Sequence, residues 1–281
     1  MISALEHTTV LVRDLDAGVA AYSEIFAREP AFRSSNDGAE SVFFTLDNAT
    51  LRITAPQGEG SLGNCVRAAL KESGEGLRGL AFSVNNIERT CSRLKRLSLR
   101  PDEITDLALR NLARDMTRSW KRSGLPAELS HGVQISFMNS LAEAPRSVVT
   151  RPASVLKMDL VVVATADPER ALALYGARLG LSLIFDRTDP ERKTRLMQFA
   201  CGDMLIEVVH SSNHSGADRL WGIGWLVTDA DAARERFVQA GRNVSEVKVG
   251  AKPGTRVFTL RDGTCNVPTL FVQHLPMQSR A

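Results

Sequence analysis

The sequence predicts an α+β protein in which one strand–helix–sheet unit is used four times. Three observations carry this. Leu5 to Asp14 (LEHTTVLVRD) matches Met158 to Asp167 (MDLVVVATAD) at an offset of 153 residues, which also carries Tyr22 onto Tyr175. Gly79 to Asn86 (GLAFSVNN) matches Gly222 to Asp229 (GIGWLVTD) at an offset of 143 residues. Short apolar or alternating runs bounded by turn residues fill the intervals. Internal self-similarity of this kind decides architecture before any local motif does.

Each unit opens with an apolar strand, near residues 5, 78, 157 and 221. A helix follows. Asp14 and Asp167 stand where an N-cap carboxylate would accept the first free helical N–H groups. The predicted helices run over 15–26 and 168–179, with Pro168 in the first turn, where its missing N–H costs nothing. Ile87, Cys91, Leu94 and Leu97 give the second unit its helical apolar stripe. Further strands are expected at 41–45, 50–55, 134–138, 195–200, 204–209, 256–260 and 269–273. Helices that lead into small antiparallel sheets define the α+β class. Residues 1–140 and 155–281 then form two domains, and 141–154, with Pro145 and Pro152, forms the linker. The stretch 104–130 is longer than its counterparts. It is expected to be a surface insertion, or else a flap over the N-terminal domain.

Bulk properties exclude several classes. The chain has 281 residues, 43% hydrophobic and 24% charged, as soluble two-domain proteins do. A net charge of +3 with scattered basic residues does not describe a nucleic-acid binder. Cys65, Cys91, Cys201 and Cys265 form no CxxC pair, so neither a thiolate zinc site nor a disulfide scaffold is expected. No signal peptide is read at the N-terminus and no run is long and apolar enough to span a bilayer. The expected location is the cytoplasm, and both monomer and homodimer stay open.

At this point the residues resemble the vicinal oxygen chelate, or glyoxalase-like, superfamily. The resemblance rests on Leu5-Glu6-His7 followed by Asp14-Leu15 and Tyr22, and on Met158-Asp159 followed by Asp167, Tyr175 and Leu179-Gly180. It implies four βαβββ modules paired into two cupped-sheet domains, in a layout similar to the extradiol ring-cleaving dioxygenases. It also implies a metal in a cup, held by His, Gln or Glu from the first and last strands of a module. Here those positions hold His7 and Arg52, Gly79 and Ser136, Leu160 and Glu207, Gly222 and Leu270. Only His7 and Glu207 are ligand-type residues, and they fall in different domains. One ligand per cup is too few, and Arg52 adds a permanent cation. No catalytic metal and no other cofactor are expected, although a divalent metal is left open.

Strand alternation says what else faces each cup. The N-terminal cup should present His7, Thr9, Arg52, Ser83 and Ser136, with His131 at its rim. The C-terminal cup should be apolar around Glu207. Trp120, Trp221 and Trp225 are candidate pocket walls, Trp225 having the parity of a core residue. His210 and His214 read as a surface pair.

A cup with His7 and Arg52 suits a small anionic or carbonyl ligand, with His7 as general acid or base. A cup with a desolvated Glu207 suits an apolar or aromatic ligand. The function expected is therefore isomerase- or lyase-type chemistry on a small molecule. A non-catalytic binding protein is the alternative, and a metal-dependent dioxygenase relative is the third. Against both catalytic assignments stands the bland one, in which Arg52, His7 and Glu207 merely fill defunct cups.

Overall fold

The computed structural model describes residues 1–191, 193–211 and 214–276. The first module runs β1 (Ile2–Leu11), α1 (Leu15–Phe26), β2 (Phe32–Asn36), β3 (Ala39–Thr45) and β4 (Thr50–Pro56). Helix α2 (Ser61–Ser73) leads to the second module: β5 (Gly76–Val84), α3 (Ile87–Arg96), β6 (Thr105–Arg110), β7 (Thr117–Leu125) and β8 (Gln134–Ser140). The third is β9 (Lys157–Thr165), α4 (Pro168–Leu172), β10 (Ser182–Asp189), β11 (Thr194–Cys201) and β12 (Met204–Ser211). The fourth is β13 (Arg219–Leu226), α5 (Ala230–Gln239), β14 (Lys248–Val249), β15 (Thr255–Leu260) and β16 (Thr269–His274).

Four βαβββ modules thus pair into two eight-stranded sheets, ordered β2-β3-β4-β1-β5-β8-β7-β6 and β10-β11-β12-β9-β13-β16-β15-β14. In each, the two opening strands run antiparallel at the centre, and each pairs in parallel with the last strand of its own module. The four module helices start alike. Asp14, Asn86, Asp167 and Asp229 all sit in extended backbone and accept helical N–H groups on their side chains.

The helix sides of both sheets join in one apolar core. Phe26 is fully buried, with its ring centroid 5.4 Å from Phe44 and 4.7 Å from Trp225 of the other sheet. Tyr22 donates to the Thr264 carbonyl, and Glu24 pairs with Arg242. The first module's helix is therefore wedged against the fourth module. Arg28, at its end, donates to the carbonyls of Ser147 and Val155, which ties down the segment between β8 and β9.

Some expectations need correction. Residues 104–130 are neither insertion nor flap, because they supply β6 and β7 of the sheet. Their alternation was hidden by a basic run in which Arg118 is buried rather than solvated. The helix expected over 168–179 changes at Ala173 from α to a π-helical turn, Ala173–Arg178. Strands β2, β10 and β14 and helix α2 were not anticipated. Leu62, Val66 and Leu70 of α2 pack with Leu11 and Ala39. Both lie on the concave side of the first sheet, so α2 covers one end of that cup.

Candidate functional site

The concave face of the first sheet is built from alternate residues of all eight strands. His7 and Thr9 come from β1, Ser41 and Phe43 from β3, and Arg52 and Thr54 from β4, with Thr9 level with Arg52 across the parallel pair. Ala81 and Ser83 come from β5, and Ser136 and Met138 from β8. The register sets Ala81, rather than Gly79, directly beside His7. Arg118, Trp120 and Arg122 come from β7, opposite Leu109, Leu107 and Met138 respectively. Phe32, Phe43, Ala81, Leu109, Trp120 and Met138 form a second apolar cluster that floors the cup.

Polar groups converge above that floor. Glu6 occupies a β-bulge between Leu5 and His7, which turns its side chain inward as well. It accepts from Arg118 (3.0 Å), from the Trp120 indole (3.0 Å) and from Ser83 (3.3 Å). Arg118 lies over the Trp120 ring at 4.5 Å. Arg52 donates through Nε and Nη2 to the Ser41 hydroxyl, at 3.0 and 2.9 Å, and lies 5.6 Å from the Phe43 ring centroid. Ser41 in turn shares a hydrogen bond with Thr54. Among the described residues neither Arg52 nor Arg122 has a carboxylate within ion-pairing distance.

His7 is buried, with its ring edge-on to Phe43 at 6.5 Å. It makes no side-chain hydrogen bond among the described residues. Burial, and then the charges of Arg52, Arg118 and Arg122, hold its pKa well below the usual 6.5. The imidazole is therefore neutral at physiological pH. Burial and Arg122 bring Arg52 down to about 10 from 12.5. The cup holds three guanidiniums, one carboxylate and one uncharged imidazole.

The second sheet is different. Glu207 on β12 accepts from the Gln198 amide at 2.7 Å. Burial raises its pKa, the Gln198 hydrogen bond opposes the rise, and Asp159 adds to it. Around it stand Leu160, Val162, Leu205, Val209 and Leu270, most of them half-buried on an open concave face. Gly224, rather than Gly222, lies beside Leu160. Asp159, in a bulge matching that of Glu6, pairs with His274 at 2.9 Å.

The predicted residues thus divide. His7, Thr9, Arg52, Ser83 and Ser136 share one cup, and Glu207 lies in the other. His131 is not at the cup rim. Its backbone takes φ 59°, its carbonyl accepts from Asp218 N, and it packs against the C-terminal half because β8 begins only at Gln134. Trp221 belongs to the second sheet, in a bulge of β13 and 49% exposed. Trp225 is fully buried against Phe26. His214 bonds the Ala217 carbonyl at the surface. Glu6, Arg118 and Arg122 were missed, although the period-two alternation of Arg118, Trp120 and Arg122 is a strand signature visible in the sequence.

The family's metal positions do not fit a divalent ion. His7 has Arg52, Ala81 and Ser136 around it, and Glu207 has Leu160, Gly224 and Leu270. Among the described residues no three His, Cys, Asp or Glu side chains converge. The half-buried Arg52 guanidinium, whose charge acts on His7, opposes a cation there by simple repulsion.

The chain belongs to the glyoxalase-like family: the family described as "Glyoxalase-like domain" matches residues 5–180. The "Glyoxalase/Bleomycin resistance protein/Dioxygenase superfamily" description matches residues 160–259. No curated protein matches its sequence. A mutant of 4-hydroxymandelate synthase from Streptomyces coelicolor is similar in structure, with TM-score 0.72 and 11% identity over 99% of this chain and 94% of that one. The Mn(II)-bound glyoxalase from Novosphingobium aromaticivorans gives 0.69 and 11%, over 98% and 83%. BphC, a halotolerant catechol dioxygenase, gives 0.67 and 10%, over 100% and 90%. At these identities the likeness is one of fold, in the tandem two-domain form. Among the described residues no helix is long and apolar enough to cross a membrane.

Proposed function

We propose that the N-terminal cup is the active site of an enzyme that moves a proton at a carbon next to a carbonyl, on a small anionic substrate. The observation that supports this is a pair of guanidiniums, Arg52 and Arg122, without carboxylate partners, facing a neutral imidazole that has no hydrogen bond of its own. Arg52 would hold the substrate oxygen on which negative charge develops. His7, in its base form, would accept the carbon-bound proton. The substrate's negative charge offsets the arginines, which raises the imidazole's proton affinity once the complex forms. Returning the proton to the other face gives an isomerase. Loss of a leaving group from the enolate gives a lyase. Glu6 fixes Arg118 and Trp120 as the wall of the cup.

Deuterium uptake from solvent by a panel of small 2-oxo acids, followed by proton NMR, tests the proposal. Wild-type protein should catalyse exchange at the carbon beside the carbonyl, and His7→Gln should abolish it while a bound 2-oxo acid still protects Arg52 from phenylglyoxal. Equal exchange by both proteins overturns the assignment. Saturable binding without exchange supports a non-catalytic binding protein instead. One observation favours a second site in the other cup. Glu207 carries a raised pKa on an apolar face, a setting suited to proton transfer on an apolar or aromatic ligand.

A further inference from the structure

We propose a second small-molecule site on the opposite side of the first sheet, which takes an anion carrying a short apolar tail. A cavity of about 260 Å³ opens at the seam between the two halves, lined by Ile2, Leu94, Phe137, Leu179 and the arginines of α3. Phe137 and Leu94 are core residues, less than 2% exposed. They lie on the helix side of the sheet, whereas their neighbours Ser136 and Met138 face the cup. The cavity and the His7 cup are therefore separated by the sheet itself.

Chemistry at the mouth differs from chemistry at the floor. Arg89, Arg93 and Arg96 recur at i, i+4 and i+7 on α3 and so share one face of the helix. Arg93 is pinned across the seam, donating to the Arg178 carbonyl at 2.7 Å. Gly180 makes room for it: φ is +80°, and a Cβ there would stand 3.0 Å from Arg93 Nη2. Arg89 and Arg96 have no carboxylate partner among the described residues, and the nearby Glu88 is already paired with Lys121. Positive charge over a small apolar hollow, with Arg93 held in place, complements a carboxylate, sulfonate or phosphate monoester with an aliphatic or aromatic body. At roughly 30 Å³ per water-sized group, the hollow takes about eight or nine such groups. That suits a body of the size of hexanoate.

Hexanoate is accordingly the probe, read by methyl NMR shifts of Ile2, Leu94 and Leu179. These shifts should saturate in the wild-type protein. The affinity they report should fall about tenfold or more in the Arg89→Gln/Arg96→Gln double variant, whose changes are at exposed positions. 1-Hexanol should be weaker by a similar factor. Arg52→Met, which removes one of the cup's three guanidiniums, should leave these shifts unchanged. Absence of saturation, equal affinity in the double variant, equal affinity for 1-hexanol, or loss of the shifts in Arg52→Met would each overturn the second site. The same Arg52 variant keeps its failure distinct from failure of the cup proposal.

Discussion

Replacing Arg52 by methionine should stabilise the protein. Arg52 is half-buried and its guanidinium shares only the Ser41 hydroxyl, and desolvation with Arg122 brings its pKa down to about 10. The folded state therefore binds its proton less tightly than the unfolded chain does. The charge weakens the fold at every pH below about 10, and the penalty disappears as pH rises on toward the ordinary arginine value. At about 1.4 kcal/mol per pH unit, that difference amounts to about 3 kcal/mol at neutral pH. Methionine gives up the hydrogen bonds to Ser41 and the contact with Phe43, worth about 1–2 kcal/mol together. Ser41 is not orphaned, because Thr54 still bonds it at 3.0 Å. The net expectation is a gain of about 1–2 kcal/mol, a few degrees in Tm. Urea unfolding at pH 7.5 measures it. A loss of 1 kcal/mol or more would refute the reasoning, since it would mean that a charge partner compensates Arg52. A cation that costs stability where methionine would serve is best explained by a ligand that needs it.

Three further outcomes follow from the same physics. His7 stays neutral in the fold while the unfolded chain protonates near 6.5, so stability should fall as pH drops below 6.5, and His7→Gln should flatten that fall in urea titrations at pH 7.5 and 5.5. Glu207 has a raised pKa, so its ionised form is penalised above that value and not below 4.5. Glu207→Gln should therefore stabilise the fold at pH 7.5 and lose that advantage at pH 4, measured by urea unfolding midpoints. Phe26→Ala removes a fully buried ring shared by both halves and should cost about 3–5 kcal/mol, in a single loss rather than a separate melting of one half, as calorimetry would show.

The architecture was legible because it rests on local signals that repeat. Asp14 and Asp167 cap helices as expected, and the Tyr22–Tyr175 correspondence holds the modules in register. Alternation also found the inward direction of Thr9, Arg52, Ser83 and Ser136. It failed where a local rule is broken or disguised. Arg118 made β7 read as part of a surface insertion, because nothing local says that a carboxylate 112 residues away accepts its guanidinium. His131 was assigned to the cup because a strand was extended back past a left-handed residue that instead turns the chain toward Asp218. α2 was missed because its mean hydropathy is polar and its apolar side is read only against Leu11 and Ala39.

Glu6 shows why the first cup does not suit a cation. The bulge before His7 and the one before Leu160 are the same feature in two modules, and each holds an acid, Glu6 and Asp159, turned inward beside a central strand. An inward carboxylate there is a natural metal donor. In the first cup it is instead saturated by Arg118, Trp120 and Ser83, and in the second it is paired with His274. Neither acid can turn to an ion without leaving a buried guanidinium or an indole N–H unpaired, or breaking the hydrogen bond to His274. The residues at the neighbouring positions and the protein donors around each acid both disfavour a cation. On the function proposed above, arginines hold an anion where carboxylates would hold a cation, and His7 accepts a proton there rather than donating to a metal.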